Sequence, residues 1–137
     1  MKIKVNKLEN FVKMPDRAHY NDSGADVFCT EDVCIQPHSS YAIPLGISVE
    51  LPDGYDLIIH SKSGLSKKGI GCFNAPIDAG YTGEIHAIVY NVNDEPYFFS
   101  KGDKVGQLVC RPVVYCDYVE TLGEERASGA FGSTGVK

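Results

Sequence analysis

Asp78 and Tyr81 stand three positions apart in the stretch Asn74 to Glu84, which reads N-A-P-I-D-A-G-Y-T-G-E. Ala75, Pro76, Ala79, Gly80 and Gly83 around them are small or turn-forming, and the flanks are strand-like. The stretch is therefore predicted as a tight hairpin with a carboxylate and an aromatic face at its tip. A carboxylate there can act as a general base or hold a metal, and the ring can floor a sugar or a base. An ordinary Asp/Gly turn with a Tyr packed along its own strand uses the same residue types, so the rest of the chain has to decide.

A second group is Ser61-Lys62-Ser63-Gly64-Leu65, placed after an apolar strand candidate. A strand running into this sequence and then a short helix presents hydroxyls, backbone N–H groups and a cation together, which suits an anion. It lacks the G-x-x-x-x-G-K-[ST] pattern of a Walker A loop, and a capped helix with solvated lysines explains the same residues. Asp26, after Gly24-Ala25, is a ligand or base candidate, although such an Asp more often accepts local backbone N–H groups. Gln107 lies among apolar neighbours and needs a hydrogen-bond partner, from backbone or from ligand.

The C-terminal stretch Phe131-Gly132-Ser133-Thr134-Gly135 supplies an aromatic face, two hydroxyls and glycine-freed N–H groups within five residues. Those parts can cradle phosphates while stacking on a base, and Arg126 can add a bidentate phosphate contact. The ordinary alternative is a disordered terminus.

The bulk properties bound these readings. The chain has 137 residues, 43% hydrophobic and 23% charged, which suits one domain with its own core. No run of about 18 apolar residues is present, so no membrane span is expected. Met1 to Lys7 alternates polar and apolar residues without the apolar stretch of a signal peptide, so an intracellular, cytoplasmic setting is expected. The net charge of -5 argues against broad nucleic-acid binding but leaves room for a small anion helped by Mg²⁺. Cys29, Cys34, Cys72, Cys110 and Cys116 form no C-x-x-C pair and are expected as reduced, mostly buried thiols. His19, His38, His60 and His86 lack zinc-ligand spacing.

The elements that must position the candidate residues are short strands. Ile3 and Val5 alternate with lysines and suggest an edge strand. Gly24 to Cys29 reads as a strand, as do Tyr41 to Ile43 and Ile47 to Val49, with Pro44 between them forcing an edge, bulge or bend. Tyr55 to His60, Ile85 to Val92, Tyr97 to Phe99, Val105 to Cys110 and Pro112 to Val119 follow as strands, and Ser61 to Gly69 holds the short helix. Many short strands with frequent turns and almost no helix indicate an all-β, jelly-roll-like sandwich or barrel. Residues 1–121 are expected to form this β-domain and 122–137 a flexible, glycine-rich arm.

Five separated segments resemble, in order, the five motifs of the homotrimeric dUTPases (deoxyuridine triphosphatases). They are Gly24 to Val27, Ser61 to Leu65, Ile77 to Gly83, Gly102 to Leu108, and Arg126 with Gly129 to Gly135. The resemblance implies hydrolysis of dUTP to dUMP and pyrophosphate with Mg²⁺. It implies that Asp78 aligns the attacking water as general base and bonds the 3′-OH, and that Tyr81 lies under the sugar and excludes a 2′-OH. Asn74 and backbone groups of the same hairpin, Ile77 among them, would read uracil. Lys62, Ser63, Gly64 and Gln107 would contact the phosphates, and Asp26 would hold Mg²⁺ through water or fix the cluster. Phe131 would stack over uracil while Arg126, Gly132, Ser133 and Thr134 close on the β- and γ-phosphates. Three subunits would contribute to each site.

Two segments depart from the family pattern. Lys62 stands where an Arg is usual, so the charge is kept and the planar fork is lost. The family's hairpin usually contains a Gly shortly before Ile-Asp, whereas here Pro76 directly precedes Ile77, and the segment from Leu65 to Asp78 is short. A dCTP deaminase of the same fold shares the third motif, but the strand after it, Ile85-His86-Ala87-Ile88, lacks that family's Glu. A low-turnover nucleotide sensor of this fold is the other alternative.

Overall fold

The computed structural model describes residues 1–123, so Arg126 and Phe131 to Thr134 lie outside the described residues. The described chain's regular secondary structure is almost entirely strand, with one short helix. Its elements are β1 (Lys4–Lys7), β2 (Ala25–Phe28), β3 (Val33–Ile35), β4 (Ser39–Pro44), β5 (Ile47–Glu50), β6 (Tyr55–His60), α1 (Ser63–Ser66), β7 (Ile70–Cys72), β8 (His86–Asn91), β9 (Tyr97–Phe99) and β10 (Lys104–Pro112).

All pairings are antiparallel, in four small sheets ordered β1-β5, β2-β10-β6, β3-β9 and β4-β8-β7. The period-two alternation expected of half-buried strands is clearest in β8. There Ala87, Val89 and Asn91 face inward, while His86, Ile88 and Tyr90 are only partly covered. Ile35, Ile43, Ile47, Leu57, Ile70 and Val89 fill the centre. Each such side chain contributes roughly 1.5–3 kcal/mol by leaving water. Asn91 is fully buried, and its amide is satisfied by the carbonyls of Ile35 at 3.1 Å and Glu95 at 2.8 Å and by the Asn93 N–H at 2.9 Å.

Pro44 ends β4, which is an edge strand of its sheet, as the missing N–H requires. The strand expected over Pro112 to Val119 is not formed. Pro112 closes β10, and Val114, Tyr115, Tyr118 and Val119 beyond it are exposed. Residues 113–119 make no ladder with another strand of the described chain. Val113 reaches the Gly54 carbonyl at 2.8 Å, and the Gly54 N–H donates to the Tyr115 hydroxyl at 2.8 Å. Beta-branched and aromatic content suited a strand, but a strand needs a partner edge.

All five cysteines are free. Cys29 is buried, and its burial pushes the thiol up to about 12; Cys72, partly covered, is pushed up to about 11 by the same cause. Cys110 and Cys116 are exposed, contrary to the expectation of mostly buried thiols.

Candidate active site

The hairpin that carries Asp78 and Tyr81 is the long connection between β7 and β8, and it is anchored on both arms. Ile77 is buried and exchanges two backbone hydrogen bonds with Leu57 of β6, at 2.8 and 3.1 Å. Ile85 donates to the Ile47 carbonyl at 2.8 Å and accepts from Leu45 at 3.0 Å. Between these anchors the chain turns, with the Tyr81 N–H donating to the Asp78 carbonyl at 3.0 Å. The turn is therefore held by one residue on either side of it, and the Asp78 carboxylate is left exposed at the tip.

Tyr81 folds back over its own turn. Its hydroxyl donates to the Glu84 carbonyl at 2.7 Å. A methyl group added to Gly83 would stand 2.8 Å from that hydroxyl oxygen, so glycine is what lets the ring lie there. Tyr81 remains 45% exposed. Glu84 in turn accepts from the Gly46 N–H at 3.0 Å, which ties the far arm to the turn between β4 and β5.

The two arms enclose a cavity of about 330 Å³ lined by Asn74 to Asp78, Tyr81, Glu84 to His86 and Ile88. The Asn74 side chain does not project freely into it. Its amide donates to the His86 carbonyl at 2.8 Å and accepts from the Ile88 N–H at 2.9 Å, continuing the β8 ladder beyond the end of β7. Pro76 carries no N–H, and the N–H of Ala75 and the carbonyls of Ala75 and Pro76 have no partner among the described residues.

The second cluster forms on one face of β2 and β10. Asp26 is opposite Gln107, and Gln107 is opposite His60 of β6. Gln107 donates to the Ser61 carbonyl at 2.9 Å, while the Ser61 hydroxyl accepts from the Cys72 N–H at 2.8 Å. Ser61 thus joins β6, β7 and β10 just before Lys62. Lys62 occupies the N-cap position of α1 without a side-chain cap bond, and the first bonded N–H groups of the helix are those of Leu65 and Ser66. The N–H groups of Ser63 and Gly64 precede them, as expected of a helix start.

Asp26 is only 7% exposed, and both of its oxygens meet ammonium groups. Lys62 Nζ donates to Oδ1, and Lys104 Nζ lies 3.1 Å from Oδ2. Burial alone would raise the carboxyl. The hydrogen bonds from Lys62 and Lys104 outweigh it and hold the group below the usual carboxylate range.

Every described site residue picked out in the sequence falls into one of these two clusters. Asn74, Ile77, Asp78 and Tyr81 form the first; Asp26, Lys62, Ser63, Gly64 and Gln107 the second. Lys104 and Ser61 carried no assigned role in the sequence. Lys104 lies in the Gly102 to Leu108 segment but is three positions from Gln107, a spacing that places two side chains on opposite faces of a regular strand. Ser61 gave no signal beyond its position before Lys62.

The two clusters are distinct within one chain. The hairpin cavity shares no residue with the one beside Gln107, lined by Ser23, His60, Ser61, Cys72, Gln107 and Val109, and no hydrogen bond or ion pair among the described residues joins the clusters. Ile77 pairs with Leu57 on the free edge of β6, while Gln107 faces His60 from the other edge. Three residues along β6 and two strand spacings across it put the backbones of Ile77 and Gln107 roughly 14 Å apart.

A family model described as dUTPase matches residues 10–135. The Hydrogenobaculum deoxyuridine 5'-triphosphate nucleotidohydrolase is 40% identical over 144 aligned positions, covering 100% of both chains. The Clostridium tetani protein of the same name is 42% identical, covering 97% of this chain and 96% of its own. Among solved structures, the dUTPase from phage phi11 of S. aureus matches with a TM-score of 0.82 at 26% identity, over 91% of this chain and 99% of that one. A mutant of the Staphylococcus bacteriophage 80alpha dUTPase with dUpNHpp matches with a TM-score of 0.82 at 27% identity, over 98% and 99% of the two chains. The hairpin that carries Asp78 and Tyr81, the lysine-bound Asp26 and the Gln107–Ser61 contact are thus set in the fold of those enzymes, and the chain belongs to the dUTPase family.

Proposed function

We propose that the chain hydrolyses dUTP to dUMP and pyrophosphate, at sites assembled from more than one copy of the chain. The observation that carries the reading is the pair of clusters. One presents an exposed carboxylate beside a half-exposed tyrosine; the other presents a lysine and helix-start N–H groups that have no partner among the described residues. The first fits a sugar and a reacting phosphorus, the second an anionic chain.

Asp78 is the general base. It orients a water on the α-phosphorus and takes its proton, and positioning of this kind is most of what phosphoanhydride cleavage asks of a protein. Tyr81 lies under the deoxyribose, where its ring leaves no space for a 2′-OH. With the Asn74 amide engaged on β8, backbone groups from Asn74 to Ile77 read the uracil edge. Lys62, Ser63, Gly64 and Gln107 bind the phosphates. Residues 122–137 act as the arm that closes the site, with Phe131 over the base and Arg126, Gly132, Ser133 and Thr134 on the terminal phosphates, excluding bulk water.

The separation of the clusters, about 14 Å between their backbones, favours a site shared between copies, and the family resemblance makes that assembly a homotrimer. The exposed apolar run of Val114, Tyr115, Tyr118, Val119 and Leu122 is a surface that another copy can cover.

The family implies Mg²⁺, and the residues fit it in one way. No three His, Cys, Asp or Glu side chains converge among the described residues. Asp26 is a lone carboxylate with both oxygens already in ion pairs, so it suits an ion carried by the triphosphate and met through water. When bound, the ion neutralises charge on the triphosphate.

The test offers the full chain dUTP, dCTP, UTP and dTTP with Mg²⁺ and follows dUMP, pyrophosphate and ammonia. Release of dUMP and pyrophosphate from dUTP alone is expected. Ammonia from dCTP, or no release at micromolar enzyme, overturns the reading. Light scattering on the same sample reads the trimer.

A further inference from the structure

We propose that Lys104 is a positioning residue of the phosphate site: it holds the Asp26 carboxylate so that Lys62 can turn from Asp26 to the triphosphate. This rests on the reading of Lys62 as a phosphate ligand.

The first observation is an irregularity in the β2–β10 ladder. Gln107 pairs with Asp26 and Gly106 with Val27, so a regular strand would put Val105 opposite Phe28. Instead Lys104 is opposite Phe28, with a bulge between Lys104 and Gly106. The extra residue, Val105, is buried in the core. Lys104 is thereby moved onto the face that carries Asp26 and Gln107, the re-aiming that bulges beside functional sites produce.

The second observation is the charge balance. One buried carboxylate faces two ammonium groups, one on each oxygen. The cluster keeps one positive charge in surplus, which favours an anion. A carboxylate with a single partner would bind that partner strongly and would be left bare if it moved. With Lys104 in place, Asp26 stays paired when Lys62 leaves.

The third is the asymmetry of the two lysines. Lys62 adjoins the N–H groups of Ser63 and Gly64, which have no partner among the described residues, while Lys104 enters from β10 on the opposite oxygen. Lys62 is the one placed to reach an anion at the helix start, and Lys104 the one placed to stay.

The test measures the affinity of the full chain for a dUTP analogue with an imido group bridging the α- and β-phosphorus, and for dUMP. Lys104→Met is expected to weaken the analogue about tenfold and dUMP less than about twofold, and Lys104→Arg to restore binding. In an Asp26→Asn background, where no charge needs holding, Lys104→Met is expected to change analogue binding by less than about twofold. Undiminished binding by Lys104→Met overturns the proposal. So does a tenfold loss that persists in the Asp26→Asn background, which would make Lys104 a direct phosphate ligand. If Lys104→Met does not fold, Lys104→Gln takes its place in the same cycle. Lys62→Met separates the two levels. If it binds the analogue normally, the phosphate reading of Lys62 fails; if it binds weakly while Lys104→Met binds normally, only the present proposal fails.

Discussion

Gly24 lies against Gln107 so closely that a methyl group on Gly24 would stand 2.3 Å from the Gln107 Oε1 and 2.8 Å from its Cβ. The contact reaches the stem of the side chain and not only its tip, so Gln107 cannot evade it by a terminal rotation. Gly24→Ala is therefore expected to displace Gln107 and break its 2.9 Å bond to the Ser61 carbonyl. Overpacking of this kind costs about 1–3 kcal/mol, and the loss of one charge-assisted phosphate contact costs a similar amount. The variant should melt slightly lower, and its kcat/KM for dUTP should fall about tenfold or more. Unchanged kinetics would remove Gln107 from the phosphate site.

Asp78→Asn keeps the shape of the turn, because the bond from the Tyr81 N–H goes to the backbone carbonyl of residue 78 and not to its side chain. Removing a general base costs about 10²–10⁴ in rate. The expected result is a kcat lowered by that range with the affinity for a non-hydrolysable dUTP analogue retained. Residual turnover near the parent rate would assign the base elsewhere.

Gly83→Ala acts on discrimination. The added methyl would meet the Tyr81 ring and hydroxyl, so the ring must leave the position that its 2.7 Å bond to Glu84 fixes. The ratio of kcat/KM for dUTP over UTP is expected to drop, about tenfold if the ring's fit against the sugar is worth roughly 1.4 kcal/mol. Tyr81→Phe should keep most of the ratio, since the ring itself supplies the floor.

Asp26 predicts a pH dependence of stability. Its carboxyl in the folded chain lies below its usual value, because the lysine bonds outweigh the burial that would raise it. Such a group adds stability that is complete above the unfolded value of about 4 and is lost as pH falls through the lower folded value. Asp26→Asn should be less stable than the parent at pH 7, and the difference should shrink as the pH is lowered below about 4. A difference that stays constant down to that range would show that the lysine pairs do not act on folding.

These residues also show how far the sequence could be read. Asp78, Tyr81, Lys62 and Gln107 were legible because turn chemistry and strand-to-helix junctions are local and because five segments recur in a family order. Fold class was legible from the spacing of short apolar runs and turns. Lys104 was not, since a bulge is a property of two strands paired and nothing in Gly102 to Leu108 announces which residue will be extra. The reciprocal bonds of Ile77 and Leu57 were hidden for the same reason, as they join residues 20 positions apart. β3 and β7 were missed because each is three residues long and lacks the aromatic run that marks the equally short β9. The strand expected over Pro112 to Val119 failed in the opposite way, with strand-forming residues present and no edge to pair with. For Asn74 the resemblance implies uracil recognition, and nothing in the sequence announces that its amide replaces a backbone unit in the β8 ladder.

The central claim is that dUTP is cleaved where the Asp78 cluster of one copy meets the Lys62–Asp26–Gln107 cluster of another. It is tested most directly by mixing two inactive variants, Asp78→Asn and a Gln107→Ala/Lys62→Met double variant, through joint refolding, and measuring dUMP release. Neither parent alone has a complete site, but mixed assemblies contain some sites with both clusters intact. The mixture is expected to regain a substantial fraction of parental turnover. A mixture as inactive as its two components would contradict it.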